Sequence, residues 1–205
     1  VISDMDQPLG YAVGNALEVK EAIATLNGNG PEDLRELVLV LTSLMVVKAG
    51  KAKDIREARI LLEETLDSGK ALQVMKEWIV AQGGTAEEVE HPDLLPQALC
   101  QEAVCAEKSG FVTKIHTEEI GRICMLLGGG RAKKGDPIDL SVGLVLRKKV
   151  GDPVHSGESL AILHANDREK LAEAKERLLK AYEIKKEPVA VRPLIWEILD
   201  GTEAE

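Results

Sequence analysis

The N-terminal stretch Val1–Glu21 constrains the fold more than any other part of the chain. Pro8 and Gly10 would break any helix that precedes the first predicted one, because proline lacks a backbone donor and glycine tolerates strained backbone. The stretch opens on an apolar pair that is typical of a strand end. It therefore predicts a strand end, a tight loop over Leu9–Gly14 and a helix from about Ala16.

Two pairs of residues have the spacing of a capping box, in which two side chains satisfy backbone donors at a helix start. Asn15 with Glu18 predicts that Asn15 caps the first helix, and Asp54 with Glu57 predicts a later helix start. Between them, a helix is expected from Pro31 to about Lys48, and it is apolar nearly all round between Leu37 and Val47. Such a helix is usually buried on several sides.

A polar link from Gly84 to Pro96 carries two prolines and four acidic residues, and it predicts a domain boundary. We expect a mostly helical domain over residues 1–95 and a β-rich domain over residues 96–205. In the second half, short apolar stretches separated by glycine and proline predict strands. The strands are expected within 99–115, over 140–146 and over 160–163, with helices over 117–127 and 167–183.

Composition narrows the classes of protein to which the chain can belong. The net charge of −9 argues against a general nucleic-acid binder, and no run of about 18 apolar residues predicts a membrane span. Three cysteines without paired spacing favour neither a zinc site nor a disulfide framework, so a reducing cytoplasm is expected. No signal peptide is visible and no methionine begins the chain, so we expect a piece of a longer protein.

Direct motif reading predicts no catalytic residue. None of the four histidines lies in an HExxH motif, and each is expected to be a surface or structural residue. The GGGR run at 128–131 resembles a phosphate loop only loosely, because it lacks the lysine spacing of such a loop. It is otherwise expected to be a mobile loop between a helix and a strand. The basic clusters at 131–134 and 147–149 are either solvated surface or a local anion site.

Several long motifs resemble those of one enzyme family. The segment ISDMDQPLGYAVGNALEVKEAI closely resembles the opening of the C-terminal half of pyrimidine-nucleoside phosphorylases, a sister group of thymidine phosphorylases. The likeness continues in LGGGRAKKGDPIDLSVGLVLRKKVGD (127–152) and in GESLAILHA (157–165), and it spans essentially the whole chain.

The resemblance implies an α/β fold class with two parts. Residues 1–95 would be the helical end of an α/β phosphorylase domain. Residues 96–205 would be a C-terminal α/β module similar to the barrel-sandwich fold of biotinyl and lipoyl carriers, without the carrier lysine.

The resemblance also implies an activity. Members of the family are glycosyltransferases that split uridine, thymidine and deoxyuridine reversibly with phosphate, giving the free base and the (deoxy)ribose 1-phosphate in nucleoside salvage. The catalytic and substrate residues would lie in an N-terminal half, which could be a separate chain, and the whole enzyme would be a homodimer. Two alternatives stay open: a thymidine-specific phosphorylase, and a non-catalytic binding or structural module if this half acts alone.

One site carries over from the family, a monovalent cation site for potassium. The pattern implies two backbone carbonyl ligands, from Leu9 and Ala12, and one carboxylate ligand, from Glu21. Hard cations prefer such oxygen ligands, and the remaining ligands would come from the N-terminal half. The site requires the predicted loop to fold back along the first helix; otherwise Glu21 is a solvent-exposed helix carboxylate.

Overall fold

The computed structural model describes residues 1–199, which form helices and three antiparallel sheets. The helices are α1 (Asn15–Leu26), α2 (Glu32–Lys48), α3 (Ile55–Asp67), α4 (Lys70–Ala81), α5 (Glu87–Glu90), α6 (Thr117–Leu127) and α7 (Arg168–Ala181). The strands are β1 (Ile2–Ser3), β2 (Ala12–Val13), β3 (Cys100–Cys105), β4 (Gly110–Ile115), β5 (Gly143–Leu146), β6 (Pro153–Val154), β7 (Ser159–Ala165), β8 (Tyr182–Lys185) and β9 (Ile195–Glu197). The predicted α/β class is confirmed. Within residues 1–199, no helix combines the length and the hydropathy that a membrane span requires.

The chain divides into two compact units. The first contains residues 1–4 and 22–92 and the described residues from 192 onward, and the second contains residues 5–21 and 93–191. The units thus separate at 92/93, close to the expected boundary, and the segment 5–21 packs within the second unit. The domain assignment 1–95 and 96–205 stays a prediction, and its last six residues, 200–205, lie outside the described residues.

The second unit is built on two sheets that share one hydrophobic core. One sheet has the strand order β2-β5-β7-β3 and the other has the order β6-β4-β8. The core draws on both sheets and on α6 and α7, and its fully buried members include Val112, Leu144, Leu163 and Leu178. Both sheets are open, so the expected barrel-sandwich likeness extends to the two-sheet arrangement and not to a closed barrel in the described residues.

The first unit contains the helices α2, α3 and α4. Asp54 caps α3 as predicted, since its Oδ1 accepts the backbone N–H of Glu57 at 2.9 Å. The expectation that α2 is buried on several sides is wrong for the described residues. Only Leu39 and Ser43 of α2 are buried, because α2 packs mainly against α3, and Met45 on its outer side is 69% exposed.

Three other predictions need correction. The strand expected over 140–146 begins only at Gly143. The helix expected to reach residue 183 ends at Ala181, because Tyr182 and Ile184 turn into the core and pair with β4. The predicted capping box at Asn15 is also wrong: the Asn15 amide donates to the carbonyl of Gly129 at 2.9 Å, so it does not cap α1.

Candidate functional site

The loop that precedes α1 folds back along the helix and is held there by one carboxylate. Oε1 of Glu21 accepts the backbone N–H of Tyr11 at 2.9 Å and that of Ala12 at 3.0 Å. A carboxylate oxygen that accepts two backbone donors makes strong charge-assisted hydrogen bonds. Glu21 therefore fixes the two peptide planes at residues 10–12 and is not a free surface carboxylate.

Gly10 lies directly against the Glu21 carboxylate. Its φ is +65°, a left-handed conformation that side chains disfavour. A Cβ at this position would lie 2.2 Å from Oε2 of Glu21. Only a glycine lets the backbone approach the carboxylate this closely, so the position of the Glu21 carboxylate requires a glycine at residue 10.

The start of α1 is fixed by a second carboxylate and by close backbone packing. Oε1 of Glu18 accepts the backbone N–H of Gly14 at 3.1 Å, one residue before the predicted cap. Gly14 and Gly143 lie face to face where β2 pairs with β5, and a Cβ on Gly143 would lie 2.2 Å from the carbonyl oxygen of Val13. This contact anchors the loop to the sheet of the second unit.

The segment after β5 holds the other side of the loop. The ammonium group of Lys149 donates to the carbonyl of Pro8 and lies 5.4 Å from the centroid of the Tyr11 ring. The next backbone N–H, of Val150, donates to Oε1 of Gln7 at 2.9 Å. The Tyr11 carbonyl accepts the N–H of Leu146 at 2.8 Å. The loop is therefore clamped between α1 and the chain after β5.

Of the three residues expected to bind a cation, Leu9 and Ala12 lie on this clamped loop and Glu21 lies in the second turn of α1. Leu9 is 38% exposed, Ala12 is buried and Glu21 is partly buried. The folded-back loop that the site requires is present, and the groups around it are carbonyl and carboxylate oxygens, which suit a hard cation. The cradle at Gly10, which a Cβ would fill, is consistent with such a site. The ligand assignment itself stays a prediction.

Sequence reasoning missed the contribution of Lys149. The basic cluster 147–149 predicts only solvated surface or a local anion site, and nothing in its pattern indicates contact with Pro8. In the part of the chain that the structure describes, no three side chains of His, Cys, Asp or Glu converge as a metal cluster. Any cation on the loop would therefore depend on backbone oxygens.

The remaining candidate groups do not form a reactive centre in residues 1–199. Nε2 of His116 lies 3.1 Å from Glu183 at the surface. Burial lowers the pKa of His164, with smaller contributions from two neighbouring cations, and burial raises the pKa of the Cys124 thiol to about 11. The glycine run beginning at Gly128 ends α6, since the N–H of Gly128 donates to the Met125 carbonyl at 3.0 Å.

Two family profiles match the chain, one in each half. Residues 1–72 match the profile described as "Glycosyl transferase family, a/b domain". Residues 111–185 match the profile described as "Pyrimidine nucleoside phosphorylase C-terminal domain". The first match contains the clamped loop, and the second begins in β4 and ends in β8.

Curated relatives agree with these matches. The chain is 51% identical to the pyrimidine-nucleoside phosphorylase of Geobacillus stearothermophilus over 197 residues, which is 96% of this chain and 45% of the relative. It is 58% identical to that of Bacillus subtilis over 166 residues, 81% of this chain and 38% of the relative. The chain thus spans less than half the length of these relatives. With its two profile matches and this identity, the chain belongs to the pyrimidine-nucleoside phosphorylase family.

Proposed function

We propose that the chain is part of a pyrimidine-nucleoside phosphorylase, a pentosyltransferase of nucleoside salvage in the cytoplasm. The whole enzyme splits uridine, thymidine and deoxyuridine with phosphate into the free base and the pentose 1-phosphate. The observation that carries this proposal is identity of 51% and 58% to two curated phosphorylases. The match to the glycosyl transferase profile, over residues 1–72, includes the clamped loop.

The reaction needs groups that the described residues, 1–199, do not bring together. A phosphate oxygen attacks the anomeric carbon, the bond from that carbon to the base nitrogen breaks, and the base leaves with the bonding electrons and takes up a proton. Phosphate must be held in line and the departing base must be neutralised. We assign both tasks to an N-terminal part of the enzyme, and we assign no catalytic residue here.

An exposed apolar surface in the first unit supports the N-terminal partner. On α2, Val38, Leu41 and Met45 are at least 40% exposed, and on α4 Trp78 is 62% exposed. Large exposed apolar surfaces of this kind mark interaction sites. The N-terminal part covers them in the proposed enzyme, and two such enzymes form a homodimer.

The clamped loop binds potassium in the proposed enzyme. The carbonyls of Leu9 and Ala12 and the carboxylate of Glu21 provide the oxygen ligands of this chain, and the N-terminal part provides the rest. The support is the hydrogen bonding of Glu21 to the loop backbone and the glycine cradle beside it.

The activity is tested with a chimera that joins the N-terminal part of the Geobacillus stearothermophilus relative to this chain. Uracil release from uridine is followed with and without phosphate. Phosphate-dependent release is expected. A folded chimera without release would contradict the proposed activity and favour a non-catalytic module, which the separate core of the second unit would allow.

The cation site is tested by the melting temperature of the same chimera in potassium chloride and in tetramethylammonium chloride at equal ionic strength. Potassium is expected to raise it in the parent and not in Glu21→Gln. The matched control is Glu176→Gln, which removes an exposed carboxylate of α7. An equal rise in the parent and in Glu21→Gln would refute the ligand assignment.

A further inference from the structure

We propose that the outer face of the sheet β2-β5-β7-β3, the side away from the core, binds a phosphate group through Lys20, Arg147 and His164. All three residues belong to the second unit. None of them is a ligand of the cation site proposed above, and no ligand from the N-terminal part is needed. The inference therefore goes beyond the proposed function and does not depend on it.

The pairing of β5 with β7 decides which side chains lie on the outer face. Leu144 pairs with Leu163, and both are buried in the core without exposed surface. Successive side chains of a strand point to opposite faces, so the neighbouring pair, Gly143 and His164, lies on the outer face. Arg147 follows Gly143 by an even number of residues, and its N–H still donates to a carbonyl of β7 at 2.8 Å. Arg147 therefore faces the same way as His164.

The first turns of α1 lie over this face and bring Lys20 to it. Leu17 packs against the sheet at Gly143, where an added Cβ would lie 3.1 Å from Cδ1 of Leu17. Lys20 is three residues further along α1, the spacing that places two side chains on one face of a helix. Lys20 is partly buried, as is His164, whereas Arg147 is exposed. The three basic side chains thus come from α1, from the end of β5 and from β7.

Both cations act on the His164 side chain, and nothing neutralises the group. Burial lowers the pKa of His164 most, and the charges of Lys20 and Arg147 lower it further, so both cations lie within electrostatic reach of the imidazole. Within residues 1–199, none of the three side chains has a hydrogen-bond or ion-pair partner. A partly buried imidazole without a partner, beside two cations that repel its protonated form, is an arrangement that a bound anion stabilises.

Other cations of the second unit are paired with carboxylates. Lys148 lies 2.5 Å from Glu158, and Arg177 lies 2.6 Å from Glu119. The chain has 35 acidic residues against 26 lysines and arginines, so carboxylates are in excess. The outer face nevertheless has three basic side chains without a carboxylate partner in the part of the chain that the structure describes. This local excess of positive charge favours a ligand that is itself an anion.

Three basic side chains suit a ligand with several negative oxygens. A phosphate monoester carries a charge of about −1.5 to −2 at pH 7 and has three strong acceptor oxygens. Arginine binds phosphate oxygens in pairs, and lysine binds them as a point charge. The imidazole of His164 donates a further N–H. Of the two roles predicted for the basic cluster 147–149, the local anion site is the one that fits Arg147.

Phosphate titration of the full 205-residue chain tests the site, since all three residues belong to it. Inorganic phosphate replaces sodium chloride at equal ionic strength, and the ring signals of His164 are followed by NMR. A saturable shift of these signals is expected. The Kd for phosphate should rise about tenfold in Lys20→Gln and in Arg147→Gln, the loss expected for one hydrogen bond between charged groups. The matched control Lys114→Gln, which removes an exposed cation of β4, should leave the Kd unchanged.

A second titration, with ribose 5-phosphate, distinguishes a phosphate ester from free phosphate. Tighter binding of the ester indicates a sugar phosphate as the ligand, and equal binding indicates that the phosphate group alone is recognised. Absence of a saturable His164 shift with either probe overturns the site. So does an unchanged Kd in Lys20→Gln and Arg147→Gln, once circular dichroism shows that both variants are folded. Neither result bears on uracil release by the chimera, so the proposed function is decided separately.

Discussion

Replacing Gly10 by alanine tests the fit between the loop and the Glu21 carboxylate. Alanine at φ +65° costs about 1–2 kcal/mol relative to glycine. The new Cβ would lie 2.2 Å from Oε2 of Glu21 and must displace the carboxylate. Displacement loses two hydrogen bonds to a charged acceptor, each worth about 1.5 kcal/mol. Because the carboxylate ends a flexible side chain, we expect the free energy of unfolding to fall by at most about 4–5 kcal/mol, and by more than the backbone cost alone.

The matched control is Gly157→Ala in the same unit. Gly157 also has a left-handed backbone, with φ +86°, but a Cβ there meets nothing within 4 Å. In this variant the free energy of unfolding is expected to fall only by the cost of placing alanine in the left-handed conformation, about 1–2 kcal/mol. Thermal unfolding followed by circular dichroism separates the two, since each kcal/mol shifts the melting temperature by roughly 2–4 °C in a chain of this length.

A double-mutant cycle identifies the carboxylate as the cause. In a Glu21→Ala background the obstacle is gone, so Gly10→Ala should cost no more than Gly157→Ala. Coupling between Gly10 and Glu21 then appears as non-additivity. If Gly10→Ala is no more destabilising than Gly157→Ala in the parent, or if the two changes simply add, the close packing of this loop against Glu21 is refuted.

Three further predictions concern the rest of the chain. Leu163→Ala, in a position without exposed surface, should destabilise the second unit by about 2–5 kcal/mol in urea unfolding; a loss below about 1 kcal/mol would contradict the shared core. Asp54→Ala removes the cap of α3 and should lower stability by about 0.5–2 kcal/mol, whereas Asp54→Asn should lose less. Burial, aided by Lys20 and Arg147, lowers the folded-state pKa of His164. The unfolded chain therefore takes up this proton at a higher pH than the folded chain, and the free energy of unfolding falls as the pH drops below about 6.5. This dependence on pH should be weaker in His164→Gln, and an NMR titration that gives His164 a raised pKa would contradict it.

Local signals in the sequence predicted most of the helices and the loop at the site. Pro8 and Gly10 exclude a helix over the loop, and the capping and glycine signals that follow predict the start of α1 to within a residue or two. The capping-box spacing could not distinguish Gly14 from Asn15 as the backbone N–H donor to the Glu18 carboxylate, because the backbone bend at Gly14 depends on its packing against Gly143. That packing joins segments far apart in the chain.

Contacts between distant segments are what the sequence could not predict. The hydrogen bond from Lys149 to Pro8 spans 141 residues, and no local pattern signals it. Strand β8 was missed for a similar reason: the charged pattern of α7 continues to residue 183, but Tyr182 is drawn into the core and its hydroxyl donates to the Lys148 carbonyl at 3.1 Å. Burial overrode local propensity at β8.

The apolar pattern of α2 predicted more burial than the described residues show. The pattern predicted a helix buried on several sides, and in the described residues one side is exposed, with Val38 and Met45 at the surface. Burial of this side by the proposed N-terminal part stays a prediction.

The most direct test of the account is uracil release from uridine by the chimera and by its Glu21→Gln variant, titrated with potassium at saturating phosphate. The account predicts release that requires phosphate, rises with potassium to a plateau in the parent, and needs about tenfold or more potassium in Glu21→Gln, the loss expected for one charge-assisted ligand. Release that is independent of phosphate, or potassium curves that coincide in the two proteins, would contradict it.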